Sequence, residues 1–346
     1  MRKQEPLVTV AIYNFNYGRY LSECFDSVLS QTYGNIEILF SDNASSDNSW
    51  EIALNYQKKY PDKIFVARNY KNFGTDANLK NCLINRRGKY YVVLGSDDVL
   101  HRDYVATTVN YLEHHQDAAF VMTHRYIMDS SGNRQEEQPF YDGNYKIFPP
   151  SQAGVYMMAA VNPSISQIMY RMDYTVNRGA AGSFASQYYG TRIMDFRISL
   201  EFPIIYLKEA LVGHRIHGEN QSLEADMYLM EVIGPYVLNI QFKEMARPYG
   251  FDVVEKKFPL SIKKFSHLSL RYSARSVFNG NTELGKRYFY LSAALSPEIE
   301  DTQEFLMLKS YFETSNKGQM KTIASMSSLE FGRKISYQPD MPYEII

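Results

Sequence analysis

Two adjacent acidic residues, Asp97 and Asp98, follow an apolar run at 90–94 and suggest chemistry by their type and position. Neighbouring carboxylates repel each other, so a buried strand that ends in such a pair needs a positive charge beside it. Carboxylate oxygens are the ligands that Mg²⁺ and Mn²⁺ prefer, and a bound cation keeps positions free for a diphosphate. The pair therefore predicts a divalent metal site, although acids at a helix N-terminus also serve the helix dipole.

A third acid, Asp42, lies in the motif FSDNASSDNS after another apolar run. A carboxylate there has no use for phosphate, but it can accept a hydrogen bond from the ring N–H of a uracil-type base. The same motif is also typical of a turn with a helix cap, a role expected of Asp47 or Ser46. Together with Asp97 and Asp98, Asp42 gives the predicted site a base end and a diphosphate end.

Alternating strands and helices in the first third of the chain must position these acids. A helix is predicted where Leu21, Phe25, Val28 and Leu29 share one face, and further helices are predicted at 49–59 and 76–85 and after 90–94. Such alternation indicates a mostly parallel sheet with helices on both faces, and the carboxyl ends of its strands share one edge. We therefore expect the three acids to lie on one rim with Asn14–Asn16. The apolar runs that predict the strands are 7–12, 36–40, 64–67, 90–94 and 119–122.

Composition excludes several classes of protein. The chain has 346 residues, which predicts about two domains, and its net charge of −1 from 37 basic and 38 acidic residues argues against a nucleic-acid binder. No apolar run reaches the roughly 18 residues of a membrane span. Cys24 and Cys82 have no metal-site spacing and are expected to be reduced packing residues. These features predict a cytoplasmic protein.

Four blocks in the sequence resemble a known family. They span about residues 6–222 and read VTVAIYNFNYGRYLSECFDSVLSQTYGNIEILFSDNASSDNS, NYKNFGTDANLKNCL, GKYYVVLGSDDVL and YLKEALVGHRIHGENQS. In this order they look like the family 2 inverting glycosyltransferases with the GT-A fold, of the type that builds bacterial surface glycans. The resemblance implies a GT-A domain at 1–222, and it implies transfer of a sugar from a nucleoside diphosphate to an acceptor hydroxyl with Mn²⁺ or Mg²⁺ as cofactor.

The resemblance also assigns roles to individual residues. Gly95 stands where the family's metal motif has its first acid. Asn78 is equally well explained as a structural hydrogen-bonding residue, Gly74 as a positive-φ glycine, and His217 as a packing residue. The implied metal ligands are Asp97, Asp98 and His217, and the implied donor contacts are Asn14, Phe15, Asn16, Asp42, Asn72, Gly74, Asn78, Ser96, Asp97 and Arg215.

The general base is the main departure from the family. An inverting transfer needs a carboxylate that accepts the proton of the acceptor hydroxyl. The family's Asp stands six residues before the Arg matched by Arg197, where this chain has Thr191. Asp195 lies one helical turn further on, on the same face, and is the predicted base. A pair with Arg192 would explain it equally well, and the weaker alternatives for the base are Glu201 and Asp173.

Residues 223–346 are predicted to form a helical C-terminal extension. Between 243 and 287 there are ten Lys or Arg and four acidic residues, a net charge of +6. With apolar residues interleaved, this segment could bind anionic lipid, although a solvated helical face is the more common explanation of such charge. The interleaved residues are Phe258, Leu260, Ile262, Phe265 and Leu268.

Two functions are compatible with the sequence. The first is a metal-dependent inverting glycosyltransferase that moves a sugar from a UDP- or dTDP-sugar to a glycan or lipid-linked acceptor, in the cytoplasm and peripherally at the inner membrane face. The second is a catalytically impaired glycosyltransferase-like domain that binds a nucleotide sugar or glycan, or scaffolds a partner. Thr191 keeps the second open.

Overall fold

The computed structural model describes residues 5–157, 164–176, 190–217, 228–314, 318, 320–327 and 336–346. Its contacts divide the chain into two compact units. The first unit comprises Met1–Gln152, Asn162–His217 and Arg333–Ile346. The second comprises Ala153–Val161 and Gly218–Gly332.

The first unit is built on one sheet with the order β11-β8-β10-β6-β9-β4-β1-β2-β3, in which β5 also pairs with β10 and β7 with β6. Parallel pairs join β3, β2, β1 and β4, and also β10 and β6. Antiparallel β9 lies between β4 and β6. The strands are β1 Val8–Asn14, β2 Ile36–Asp42, β3 Ile64–Arg68, β4 Tyr90–Gly95, β5 Val99–Leu100, β6 Phe120–Met128, β7 Arg134–Glu136, β8 Tyr145–Ile147, β9 Ile168–Arg171, β10 Ile204–Arg215 and β11 Tyr343–Ile345.

The predicted mostly parallel α/β sheet is confirmed, and its five predicted strands are present as β1, β2, β3, β4 and β6. Every residue of β2 and β4 is buried, since strands covered on both faces need no alternation. The sequence of β4 is apolar throughout, whereas β2 also buries Glu37, Ser41 and Asp42. Leu21, Phe25 and Val28, three residues of the apolar face predicted for the first helix, are buried in the hydrophobic core. The helices of this part of the chain are α1 Gly18–Leu29, α2 Ser49–Lys59, α3 Thr75–Leu83, α4 Tyr104–His114, α5 Pro149–Met157, α6 Met172–Val176 and α7 Gly190–Ser199.

Asp47 has a different role from the predicted helix cap. The cap position of α2 is Asn48, whose side chain makes no capping bond. One oxygen of Asp47 accepts hydrogen bonds from the backbone and hydroxyl of Ser49, and the other accepts from the N–H of Gly18 at the start of α1. Asp47 therefore links the first turns of two helices that follow neighbouring strands.

The second unit is helical. Its helices are α8 Met230–Ala246, α9 Asp252–Phe278, α10 Thr282–Leu295, α11 Gln303–Thr314 and α12 Met320–Ser327. Helices α9 and α10 approach closely because serine hydroxyls on α9 donate to carbonyl groups of α10, from Ser266 to Ser292, Ser269 to Tyr288 and Ser273 to Gly285.

The end of the chain differs from the helical extension predicted for 223–346. Strand β11 pairs antiparallel with β8, so Tyr343–Ile345 belong to the sheet of the first unit. Both cysteines, Cys24 and Cys82, are buried and free, as expected of packing residues. Among the helices of the described residues, none is long and apolar enough to cross a membrane.

Candidate functional site

The strand ends that were predicted to share a rim do so. Asn14 at the end of β1 lies opposite Asp42 at the end of β2 in the sheet register. On the other side of β1, Tyr13 lies opposite Gly95, the last residue of β4, and Asp97 follows two residues later. The rim therefore brings together the three predicted clusters on adjacent strands.

Asp42 is fully buried, and protein donors occupy its carboxylate. One oxygen accepts from the side-chain amide of Asn14 at 3.0 Å and from the Ser45 hydroxyl. The other accepts from the Ser45 N–H at 3.0 Å and pairs with Nε of Arg68 at 3.2 Å. These four donors fill the usual acceptor capacity of a carboxylate. Only Arg68, with a side chain that is 39% exposed, lies at the surface, so a base N–H reaches Asp42 only where Arg68 moves aside.

Several predicted donor-binding residues hold the rim together. Asn78 donates to the carbonyls of Asn14 and Ser41 and accepts from the Ser41 hydroxyl, which matches the structural alternative weighed for it. Asn72 accepts from the N–H of Gly74, whose φ of 85° explains the glycine. Asn16, also at positive φ, accepts from the Ser46 N–H.

Asn43 was missed by the sequence reasoning. It is buried next to Asp42 and organises the loop after β3. Its amide oxygen accepts from Asn69 and from the N–H of Phe73, and its amide nitrogen donates to Asn72. The signal was present in the sequence as a second polar residue beside Asp42 at the end of a strand.

The two acids after β4 have different surroundings. Asp98 is 3% exposed, and one of its oxygens accepts from the N–H of Arg215 at 3.0 Å and lies 3.1 Å from Nδ1 of His214. The other accepts from the Ser166 hydroxyl at 2.6 Å. Burial acts to raise the pKa of Asp98, but His214 and these hydrogen bonds outweigh it, so the pKa is lowered. Asp98 thus faces protein groups, and His214 is a neighbour that the sequence reasoning did not identify.

Asp97 is the acid that remains open to a ligand. Its carboxylate lies 3.2 Å from Nε2 of His217 and its side chain is 14% exposed. Burial, together with the charge of Asp98, raises the pKa of Asp97. A Cβ atom on Gly95 would lie 2.9 Å from an oxygen of Asp97, so glycine at the position of the missing first acid leaves room for this carboxylate.

Arg215 is buried next to the turn that carries Asp97 and Asp98. It is 1% exposed, and its guanidinium donates to the backbone carbonyls of Asp97 at 2.8 Å and Asp129 at 3.1 Å and to the carboxylate of Glu23. It also stacks over the ring of Tyr20, 4.5 Å from the centroid. These hydrogen bonds position the backbone of Asp97, and the diphosphate contact of Arg215 stays a prediction. Glu23 is a further residue that the sequence reasoning missed.

The donor set fits a divalent cation that is shared with a ligand. Within the described ranges no group of three or more His, Cys, Asp or Glu side chains could hold a metal. Asp97 and His217 would supply a carboxylate and an imidazole to such a cation, and Mg²⁺-type sites commonly add substrate phosphate oxygens to one or two carboxylates. Three buried polar atoms near these residues lack a hydrogen-bond partner, as expected where a ligand binds: Asn14 Oδ1, Tyr20 Oη and Ser96 Oγ.

Asp195 lies inside α7 with surroundings unlike those of the rim. It is 2% exposed and accepts a 2.7 Å hydrogen bond from the hydroxyl of Tyr170. Burial raises the pKa of Asp195 to about 7, against the opposing effects of Tyr170 and Arg192. Tyr170 lies opposite Tyr91 in the sheet, four residues or about 13 Å along β4 from Gly95. Asp195, the predicted base, is therefore buried against Tyr170, away from the strand ends that form the rim.

Glu201 and Asp173, the two alternatives for the base, are less enclosed than Asp195. Thr191 belongs to the first turn of α7, and its side chain lies outside the described residues. Glu201 is half-buried in the turn after α7, and Asp173 is exposed in α6. Phe15, predicted to border the nucleotide, is 38% exposed at the rim.

Comparisons with known proteins agree with this geometry. The fold is that of GT-A proteins: S. aureus TarS in complex with UDP superposes over 90% of this chain and 92% of its own, with a TM-score of 0.54 and 13% identity. The mannosyltransferase PcManGT from Pyrobaculum calidifontis, in complex with GDP-Man and Mn²⁺, superposes over 94% of this chain and 87% of its own, with a TM-score of 0.54 and 12% identity.

The sequence comparisons identify a domain in the first half of the chain. Residues 9–177 match the sequence model of glycosyl transferase family 2. Glycosyltransferase GlyG of Streptococcus pneumoniae is 31% identical over 147 residues, which are 42% of this chain and 44% of GlyG. The matched segment thus spans less than half of that relative. A glycosyl transferase family 2 domain therefore covers residues 9–177, just under half of this chain.

The buried carboxyl of Asp195 predicts a pH-dependent stability. The native group keeps its proton up to about pH 7, whereas an unfolded Asp loses it near pH 4, so the folded state binds more protons in between. The free energy of unfolding therefore falls from about pH 4 to pH 7, by at most roughly 4 kcal/mol from this group. The variant Asp195→Asn still accepts the hydrogen bond from Tyr170 but has no proton to lose, so its free energy of unfolding should not show this decline. Urea unfolding at pH 5 and at pH 8 measures the difference.

The exposed Asp173→Asn is the matched control, and it should keep the wild-type pH dependence. Parallel stability profiles for wild type and Asp195→Asn would show that Asp195 is already ionised at neutral pH.

Proposed function

We propose that this protein is a metal-dependent inverting glycosyltransferase that uses a nucleoside diphosphate sugar, with UDP or dTDP as the carrier. The observation that supports this most is the pair of Asp97 and His217, which lies on the same rim as Asn14 and Asp42. The complexes of TarS with UDP and UDP-GlcNAc and of PcManGT with GDP-Man and Mn²⁺ support a nucleotide-sugar donor.

The donor would lie across the strand ends. Asp42 ends β2 and Asp97 follows β4, with β1 between them, so the two ends of the site are two strand spacings or about 10 Å apart. We assign the nucleobase to the Asp42 end, where Arg68 would move aside or itself contact the base, and Asn14 Oδ1 offers an unused acceptor. The diphosphate is assigned to the Asp97 end.

The chemistry at the Asp97 end follows from the charges. Asp97 and His217 would hold Mn²⁺ or Mg²⁺, which supplies stabilisation of the negative charge on the leaving diphosphate. The acceptor oxygen attacks the anomeric carbon as the bond from that carbon to the diphosphate breaks, and a base takes the hydroxyl proton. Arg215 fixes the backbone of Asp97, and Asp98 fixes Arg215, so the ligand-facing carboxylate is held before the donor arrives.

Asp195 remains the proposed general base, with Glu201 and Asp173 as alternatives. A pKa of about 7 suits a base that works near neutral pH. Since Asp195 and its partner Tyr170 are both buried, the acceptor hydroxyl reaches this carboxylate only if the packing around Tyr170 opens. The acceptor is proposed to be a glycan or lipid-linked saccharide in bacterial surface polysaccharide synthesis, at the cytoplasmic face of the membrane.

A second candidate function is supported by two positions. Thr191 replaces the acid at the expected base position, and Gly95 replaces the first acid of the metal motif. A domain with these replacements and an enclosed Asp195 could bind a nucleotide sugar without transferring it. The experiments below separate binding from transfer.

The two rim acids should respond differently to substitution. Asp97→Asn removes a ligand-facing charge and should weaken Mn²⁺-dependent UDP binding at least about 10-fold with little change in stability. Asp98→Asn replaces one of the two acceptor oxygens by an NH₂ group, so the side chain cannot accept from both Ser166 and Arg215, and it should lower the free energy of unfolding by about 1–3 kcal/mol. Thermal shift and calorimetric titration of UDP, with and without chelator, measure both effects.

Asp47→Asn is a matched control because Asp47 binds helix termini and no ligand-facing group. Unchanged UDP affinity in Asp97→Asn, or identical affinities with and without Mn²⁺ in the wild type, would contradict the metal site.

Transfer assays test the base. If Asp195 takes the acceptor proton, Asp195→Asn should lower kcat by about 10²–10⁴-fold and leave UDP affinity unchanged. Tyr170→Phe removes the hydrogen bond but keeps the carboxylate, so it should retain most of the activity and shift its pH profile. Full transfer by Asp195→Asn would rule out Asp195 and direct the same test to Glu201 and Asp173.

A wild-type protein that binds UDP with Mn²⁺ but transfers no sugar would favour the binding function. The variant Thr191→Asp would then be informative, because an acid at the family's position should create transfer activity if only the base is missing.

A further inference from the structure

Helix α9 carries a basic face that the nucleotide site does not use. After Glu255, every exposed titratable side chain on this helix is Lys, His or Arg. Most of these residues are separated by three, four or seven positions, which are the spacings that keep side chains on one side of a helix, and the row extends over about 29 Å. The residues are Lys256, Lys263, Lys264, His267, Arg271 and Arg275, which we call the basic face.

Two large apolar side chains accompany the basic face. Leu260 is 53% exposed one turn after Lys256, and Phe278 is 52% exposed at the end of the helix. The other apolar residues of the segment do not project in this way: Phe265 is buried and Ile262 is half-buried against it. Leu260 and Phe278 are therefore the apolar groups of α9 that a flat partner would meet.

The inner side of α9 is fixed, which keeps the basic face in place. Ser266, Ser269 and Ser273 donate hydrogen bonds of 2.7 to 2.8 Å to carbonyls of α10. Lys263 pairs with Glu298, and both of these side chains are more than half exposed, so the ion pair lies in solvent. The face therefore presents a net positive charge to solvent.

We propose that the basic face of α9, with Leu260 and Phe278, docks on a membrane surface that contains anionic phospholipid. Rows of Lys and Arg on a helix attract negatively charged headgroups, and a few exposed apolar side chains enter the headgroup layer. Charge complementarity alone would also suit a soluble polyanion. The exposed Leu260 and Phe278, however, stabilise a complex only if the partner removes their apolar surface from water. A lipid surface is therefore the better match.

Vesicle co-sedimentation of the full chain tests this inference. Binding should be strong to vesicles with 30% phosphatidylglycerol, absent with pure phosphatidylcholine, and about 10-fold weaker at 0.5 M than at 0.1 M salt. The double variant Lys256→Glu/Arg271→Glu should bind at least about 10-fold more weakly than the wild type. The control Lys58→Glu/Lys59→Glu makes the same charge change at exposed positions of α2 and should bind normally.

Leu260→Ala separates lipid from other polyanions. It should lower vesicle binding several-fold, whereas Leu54→Ala, at a residue of α2 that is 41% exposed, should not. Circular dichroism verifies that each variant is folded. Equal binding by wild type and the Lys256/Arg271 variant overturns the proposal, as does binding to soluble polyphosphate that is as strong as vesicle binding and insensitive to Leu260→Ala. UDP binding should be unchanged in all of these variants, so failure here leaves the proposed function untouched.

Discussion

The buried carboxylate of Asp98 is the interaction on which the site depends. It accepts from the backbone of Arg215 at the end of β10 and from Ser166 before β9, and it lies next to His214. A buried carboxylate without these partners would be costly, so the three segments must meet for it to be stable. Because they meet, Arg215 reaches the backbone of Asp97, and the ligand-facing acid is oriented by the fold.

Adjacent acids at a strand end thus divide two tasks that a sequence motif does not distinguish. Asp98 accepts hydrogen bonds from groups inside the protein, whereas Asp97, with a side chain that is 14% exposed, lies beside His217. Asp42 follows the first pattern, since Asn14, Ser45 and Arg68 surround it. A carboxylate that already has four donors holds the surrounding loops in place, and a ligand competes for it only at Arg68, its one partly exposed donor.

The sequence predicted the α/β fold because buried parallel strands appear as short apolar runs. It also predicted that the strand ends meet, because strands that alternate with helices run parallel and end at one edge of the sheet. It could not predict which way each polar side chain turns. Glu23 and His214 became visible only in three dimensions, since their partners Arg215 and Asp98 are 192 and 116 residues away in the chain. Asn43 stands beside Asp42 in the sequence, but its contact with Asn69 does not follow from that position. Short β11 also lacked a signal, because three residues carry no periodicity.

Strand β9 runs opposite to its neighbours β4 and β6, and this reversal has an evolutionary consequence. Its first residue, Ile168, lies at the rim end of the sheet, while its last residue, Arg171, pairs with Tyr90 at the far end of β4. The chain before β9 therefore arrives at the rim without being part of any parallel crossover. Insertions or exchanges in that stretch can therefore alter the side chains at the rim and leave the register of β1, β2 and β4 unchanged, so the scaffold can vary one part of the rim independently of its parallel strands.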